Sequence, residues 1–246
     1  MTRDREPSTR SYVSQPCLAV VLAIFVVLPS QSKADTIICS DNFESAVGPG
    51  WSSNSVSVTP VGGRHFLGEF GNNTVSLSLS DLPAHTSITV SFDLYVIHTW
   101  DGNWHSGDQG PDHWKLAVDG GPTLLDTTFS NDHPNSRGDG QAYPENWTSG
   151  MTPHPPRTGA TEVNTLGYTY MYGTQPGGPM DSVYTLNYTF AHSGTNVTLE
   201  YSAWNLQGIT DESWGLDNVT VTAIPEPATL SLLALGGLAL IRRRRP

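Results

Sequence analysis

The chain has 246 residues, of which 14% are charged and 9% aromatic, with 24 Gly and 18 Pro. It carries too few charges and too many aromatic residues for a disordered polyelectrolyte, and too little Lys, Glu and Gln for a helical bundle. Its net charge is −11, and between residues 35 and 224 only Arg64, Lys115, Arg137 and Arg157 oppose 20 acids, a local balance of −16. Such a body repels nucleic acid phosphates and anionic membrane surfaces, so no nucleic acid partner is expected, and it suits cations and neutral ligands.

Arg3, Arg5 and Arg10 precede an uninterrupted apolar run at residues 18–28, LAVVLAIFVVL, which Pro29 closes. Ser32 and Ala34 place small residues three and one positions before Asp35. This order predicts a signal peptide over residues 1–34 with an N-terminal helix, cleaved after Ala34. The run is short against the roughly 20 residues a membrane span needs. An uncleaved anchor is the alternative. Cys17 leaves with the signal, so Cys39 is the one cysteine of the mature chain. A disulfide framework is excluded, and Cys39 reads as a small core residue.

Residues 35–224 read as β throughout. In 87–98, Ile88, Val90, Phe92, Leu94 and Val96 alternate with polar residues. The same period of two runs through 183–190 and 197–203. Further strands are expected at 55–61, 65–70, 74–79, 114–119, 123–129 and 214–222. About nine to eleven strands with polar outer faces imply an all-β, antiparallel two-sheet sandwich. Residues 130–179 break the pattern with Pro134, Pro144, Pro153, Pro155, Pro156, Pro176 and Pro179. They are expected to form a long insertion at one end of the sandwich, with a strand at 166–172 inside it.

Both ends of this domain carry a family likeness. Asp41-Asn42-Phe43-Glu44 followed by Gly50-Trp51, and Leu216-Asp217-Asn218-Val219-Thr220-Val221 near the end, resemble the opening and closing strands of jelly-roll modules of the carbohydrate-binding and MAM-like type. The resemblance implies a jelly-roll-like sandwich. It also implies a structural calcium held by Glu44 and Asp217, with Asp41 as a third ligand. Two converging carboxylates repel unless a hard cation sits between them. Plain solvated carboxylates are the alternative.

The densest chemistry lies at residues 98–114, which hold three Trp, three His, three Asp and one Asn. Trp100, Asp101, Asn103, Trp104, Asp108 and Asp112 are the candidate ligand-binding residues. Tryptophan faces suit pyranose C–H groups, and the acids and amide suit hydroxyls. Asp101 and Asn103 begin like an EF-hand loop, but its later ligand positions are not filled, which leaves an irregular calcium loop as the other reading. Zinc lacks ligand spacing. No G-x-S-x-G stretch occurs, and no catalytic residue is assigned, although carboxylates can still pair across the fold.

The chain ends with Pro225, Glu226 and Pro227, then an apolar stretch over residues 228–241 opened by Ala228 and closed by Ile241, then Arg242, Arg243, Arg244 and Arg245. The three ordered elements resemble the PEP-CTERM sorting signal of residues 225–246. The resemblance implies a C-terminal transmembrane helix, an exosortase-type membrane protease as partner, and release to the cell surface of a bacterium that makes exopolysaccharide. The reading is therefore an exported, non-catalytic surface or matrix protein that binds glycan, such as extracellular polysaccharide. A secreted glycan-active enzyme and a purely structural surface component are the alternatives. Four arginines hold the terminus on the cytoplasmic side, by the positive-inside rule. A reporter fused after Pro246 is expected to give a cytoplasmic signal in cells lacking the protease, and an extracytoplasmic signal would contradict the anchor.

Overall fold

The computed structural model describes residues 34–104, 110–131, 140–172 and 175–226. The predicted signal and anchor helices fall on residues outside these spans. Among the described residues there are thirteen strands and no α-helix, and no helix is long and apolar enough to cross a membrane. The strands are β1 (Thr36–Asp41), β2 (Val56–Val58), β3 (His65–Phe70), β4 (Thr74–Leu79), β5 (Ser87–His98), β6 (His113–Val118), β7 (Thr123–Thr128), β8 (Glu162–Val163), β9 (Thr169–Tyr172), β10 (Gln175–Pro179), β11 (Asp181–Ala191), β12 (Val197–Trp204) and β13 (Glu212–Ile224).

Every pairing is antiparallel. The larger sheet runs β2-β3-β13-β5-β11-β8, with β1 beside the far half of β13, and the smaller runs β4-β12-β6-β7. β9 and β10 form a separate hairpin. The period-two faces explain the layering. Ile88, Val90, Phe92, Leu94 and Val96 of β5 share one core with Val197, Leu199, Tyr201 and Ala203 of β12. Rings from opposite sheets close the gap. Phe92 meets Tyr201 edge-on at 5.4 Å, and Trp114 of β6 meets Trp214 of β13 edge-on at 6.1 Å. The two sheets therefore pack face to face. Exposed threonines cover part of the outside, where Thr89 and Thr189 pair at 2.7 Å across β5 and β11.

The second half of β5 is buried on both faces. Tyr95 and Ile97 point away from the main core and join Phe66, Leu166, Tyr168 and Val183 in a second apolar cluster. Much of the cover comes from the proline-rich segment. Asp181, itself wholly buried, accepts the N–H groups of Leu166, Gly167 and Tyr168 at 3.1 Å each. Gln141 is also wholly buried. Its Oε1 accepts from Ser130, Arg157 and Tyr184, and its Nε2 donates to the carbonyls of Tyr143 and Thr158. One amide thus fixes the course of a segment that lacks strand periodicity, because buried polar groups must find partners.

Trp114 is wholly buried and touches the rings of Phe92, Phe129, Tyr201 and Trp214. Trp114→Ala removes the contact that joins the sheets and is expected to cost about 3–5 kcal/mol. A thermal melt followed by circular dichroism should show a Tm loss of about 10 °C or more.

Candidate functional site

The site forms where β5 leaves the sheet. His98 takes a left-handed turn at φ 66°, and the next residue, Thr99, donates its N–H to the Asp211 carbonyl at 2.9 Å. The chain then runs out through Asp101 and returns through Asp112 into β6. The neck of this loop is pinched. Asp112 donates its N–H to the Gly102 carbonyl at 2.9 Å, and the Asp101 N–H donates to Asp112 Oδ2. Gly102 (φ 70°) is packed so closely that a Cβ there would lie 2.0 Å from the Gly140 carbonyl oxygen, which leaves glycine the only residue that fits. Asn103 donates its N–H to the same carbonyl at 2.9 Å.

Three carboxylates meet at that neck. Asp101, Asp112 and Glu212 each offer an oxygen within 4.8 Å of the others, and all three are buried. Their exposures are 8%, 0% and 0%. Among the described residues this is the one group of three or more acid, histidine or cysteine side chains placed to share a metal ion. Glu212 is brought there by strand register, because it pairs with His98 at the end of β5. Gln207 donates its N–H to Glu212 Oε2 at 2.6 Å. Turned to present its NH2 group, the Gln207 side chain also donates to Glu212. Asp112 Oδ1 is buried and has no hydrogen-bond partner. Burial pushes the Asp112 and Glu212 carboxyls well above the ordinary carboxylate range; repulsion from Asp101 adds to the shift of Asp112, and repulsion from Asp112 adds to that of Glu212.

Beside the neck lies an open groove of about 470 Å³. Its walls include Asn103, Pro111, Trp147, Thr148, Met151 and Pro153. The indole of Trp147 stands edge-on to the His113 ring at 4.8 Å, and His113 stacks flat on Trp204 at 4.5 Å. Burial lowers the His113 pKa and favours its neutral form. An aromatic file therefore leads along the outer face of β6 and β12 to the groove.

The loop's candidate residues divide. Asp101 and Asp112 converge, and Asn103 lines the groove. Asp108 lies outside the described residues. Trp100 corrects the sequence reading of a sugar-facing indole. It is wholly buried, and its Nε1 donates to the Ser213 carbonyl at 2.9 Å, so no ligand can reach its face. Trp104 is half-buried, with its carbonyl against Gly110. Glu212 and Trp147 were not legible as site residues. Both stand far along the chain from the loop, and only folding brings them to it.

The proposed calcium residues at the domain's ends have other partners. Asp41 accepts the N–H groups of Phe43 (3.1 Å) and Gly48 (2.8 Å). Exposed Glu44 bonds both the N–H and the ring of His65, which holds its carboxyl below the ordinary range. Buried Asp217 accepts from the Tyr95 hydroxyl and the Asn218 N–H, each at 2.7 Å, while burial pushes its carboxyl up. Ala34 is exposed ahead of β1. Pro225 and Glu226 follow directly on β13, half-buried and exposed in turn. Pro227, Ala228, Ile241, Arg242, Arg243, Arg244 and Arg245 lie outside the described residues.

Residues 223–245 match the model of the PEP-CTERM protein-sorting motif. The chain therefore carries an export and surface-sorting signal. No curated protein matches the chain. Among solved structures, it is similar to the CBM22-1 xylan-binding domain of Paenibacillus barcinonensis Xyn10C, at 15% identity and TM-score 0.36, over 80% of this chain and 100% of that one. A carbohydrate-binding module (CBM6) of Cellvibrio mixtus lichenase 5A, in complex with cellotriose, matches at 13% identity and TM-score 0.30, over 76% and 97%. An exo-β-1,3-galactanase of Phanerochaete chrysosporium matches at 13% identity and TM-score 0.31, over 74% of this chain and 29% of that one.

Raised carboxyl pKa values tie stability to pH. Below the ordinary carboxylate range, near about pH 4, folded and unfolded states both hold the protons and the protonated cluster contributes its full stability. As pH rises toward the elevated folded values, the unfolded state releases protons that the folded state still holds, and stability falls. In chelator, the Tm of the chain is expected to drop between pH 5 and 8 relative to the variant Glu212→Gln. Parallel pH profiles for the two proteins would show that the cluster does not titrate in this way.

Proposed function

We propose that the chain is an exported, non-catalytic protein of the cell surface or extracellular matrix, with a jelly-roll-like body that binds a neutral glycan. An exosortase-type membrane protease would process its C-terminal signal. The observation that carries the binding reading is the groove beside the loop neck. Trp147, Pro111 and Pro153 supply apolar faces there, while Asn103, Thr148 and Ser149 supply hydrogen-bonding groups. Pockets of this mixed character grip neutral polyols, with apolar faces against C–H groups and a few polar groups to fix orientation. The body's charge of −16 disfavours an anionic polymer.

Burial supports a binding role over hydrolysis. A glycosidase needs two carboxyls flanking a bound glycosidic oxygen. Asp101, Asp112 and Glu212, the one such carboxylate cluster among the described residues, are 8% exposed or less.

The test is retention of the purified full chain on neutral polysaccharides and glycan arrays, run beside a reducing-sugar release assay. Binding without release supports the proposal, and release of reducing ends establishes the enzyme reading instead. Trp147→Ala is expected to weaken binding about tenfold, since a ring contact of this kind is worth about 1 kcal/mol beyond its buried area. Binding unchanged by Trp147→Ala would remove the groove as the glycan site.

A further inference from the structure

The chain buries acids in two ways. Asp181 and Asp217 are each supplied with donors, three backbone N–H groups for the first and a phenol with an N–H for the second. Asp112 at the loop neck is not fully supplied. Asp112 is wholly buried, its Oδ2 accepts the Asp101 N–H, and its Oδ1 is buried without a hydrogen-bond partner. Among the described residues no Lys or Arg pairs with Asp112 or Glu212. Leaving a buried carboxylate oxygen unmatched is costly, and placing three carboxyls together adds repulsion.

We propose that Asp101, Asp112 and Glu212 form a binding site for one hard divalent cation, calcium in preference to magnesium or zinc. All three ligands are carboxylate oxygens, which suits a hard ion, and the cluster holds no His or Cys to draw zinc. Calcium accepts irregular geometry and gives up its water readily. Magnesium dehydrates reluctantly and demands a regular octahedron with several retained waters, which a site this buried does not serve. The ion's attraction to each carboxylate outweighs the repulsion among the three acids.

The site lies apart from Asp41, Glu44 and Asp217, and it does not depend on what the groove binds. Its structural effect follows from the ligands' addresses. Asp101 and Asp112 are the two sides of the loop neck, and Glu212 opens β13. One ion therefore staples the β5–β6 loop to the central strand of the larger sheet. It also fixes Asn103 and Pro111, which are chain neighbours of this neck and walls of the groove.

The test strips the purified full chain with chelator, then adds calcium chloride at fixed ionic strength, read by titration calorimetry and by thermal melts. One calcium per chain is expected, with a Tm rise of about 5–10 °C at a hundredfold excess over Kd. Glu212→Gln and Asp112→Asn should each lose both responses. Because each also relieves repulsion among buried charges, each should melt in chelator at or above the wild type, which separates a lost ligand from a lost fold. Glu44→Gln combined with Asp217→Asn should keep the calcium response. The proposal is overturned by a wild type with no calcium heat or melting shift, or by a shift that sodium chloride reproduces. It is equally overturned by a response that survives Glu212→Gln or that disappears with the Glu44 and Asp217 pair. Both single variants melting below the wild type in chelator would overturn it as well.

Discussion

The register between β5 and β13 is the constraint on which the rest of the molecule depends. The two strands pair from Ser87 opposite Ile224 to His98 opposite Glu212. A slip of one residue would turn Phe92, Leu94, Trp214 and Leu216 out of the core and polar residues into it. The same register fixes where Glu212 stands, level with the point at which the chain leaves β5 for the acidic loop. The hydrophobic pattern that assembles the sandwich thus also delivers the third carboxylate, without any local signal in the sequence around it. One irregularity interrupts the ladder, between Asp217 and Thr220. There Asn218 takes a left-handed φ of 51° and donates to Asp93 on the neighbouring strand.

What the sequence disclosed follows the same physics. Strands with one face in the core announce themselves by alternation, and β3, β4 and β5 fall at the expected residues 65–70, 74–79 and 87–98. β2 is shorter than expected and β6 begins one residue earlier, at His113, as strand ends commonly drift. The loop's acids were visible as a cluster because two of them sit close in sequence. Glu212 was not, since an acid opening a strand has the same local signature whether it faces water or a buried site. Trp100 misled for the opposite reason. A tryptophan among Asp, Gly and Asn reads as a surface platform, yet its indole turns inward to complete the core with Phe129. In the proline-rich segment, Gln141 and Leu166 carried no periodicity. Their burial comes from tertiary partners distant in the chain, which composition cannot register.

Electrostatics joins the acidic composition to the buried cluster. A body with a balance of −16 raises the local concentration of cations over its whole surface, and a cleft with low-dielectric walls focuses that field. Basic side chains near the surface do not offset it much. The bidentate pair of Arg64 with Glu162, at 3.0 and 2.8 Å, is more than a third exposed on the arginine side and mainly ties the proline-rich segment to the sheet edge. The carboxylates that solvent reaches keep their charge at little cost. Those under the loop neck lie next to Ser213, whose carbonyl accepts the wholly buried Trp100 indole N–H, so the core and the acidic neck share one stretch of backbone.

β13 spans the body from the acidic neck to the start of the sorting motif. The strand opens at Glu212, in the acidic neck, and closes at Ile224, immediately before Pro225 and Glu226 of the sorting motif. Thirteen extended residues at about 3.3 Å each separate these ends by about 40 Å, somewhat less with twist. The end of the sandwich that leads to the sorting signal is therefore opposite the end that carries the carboxylate cluster and the groove.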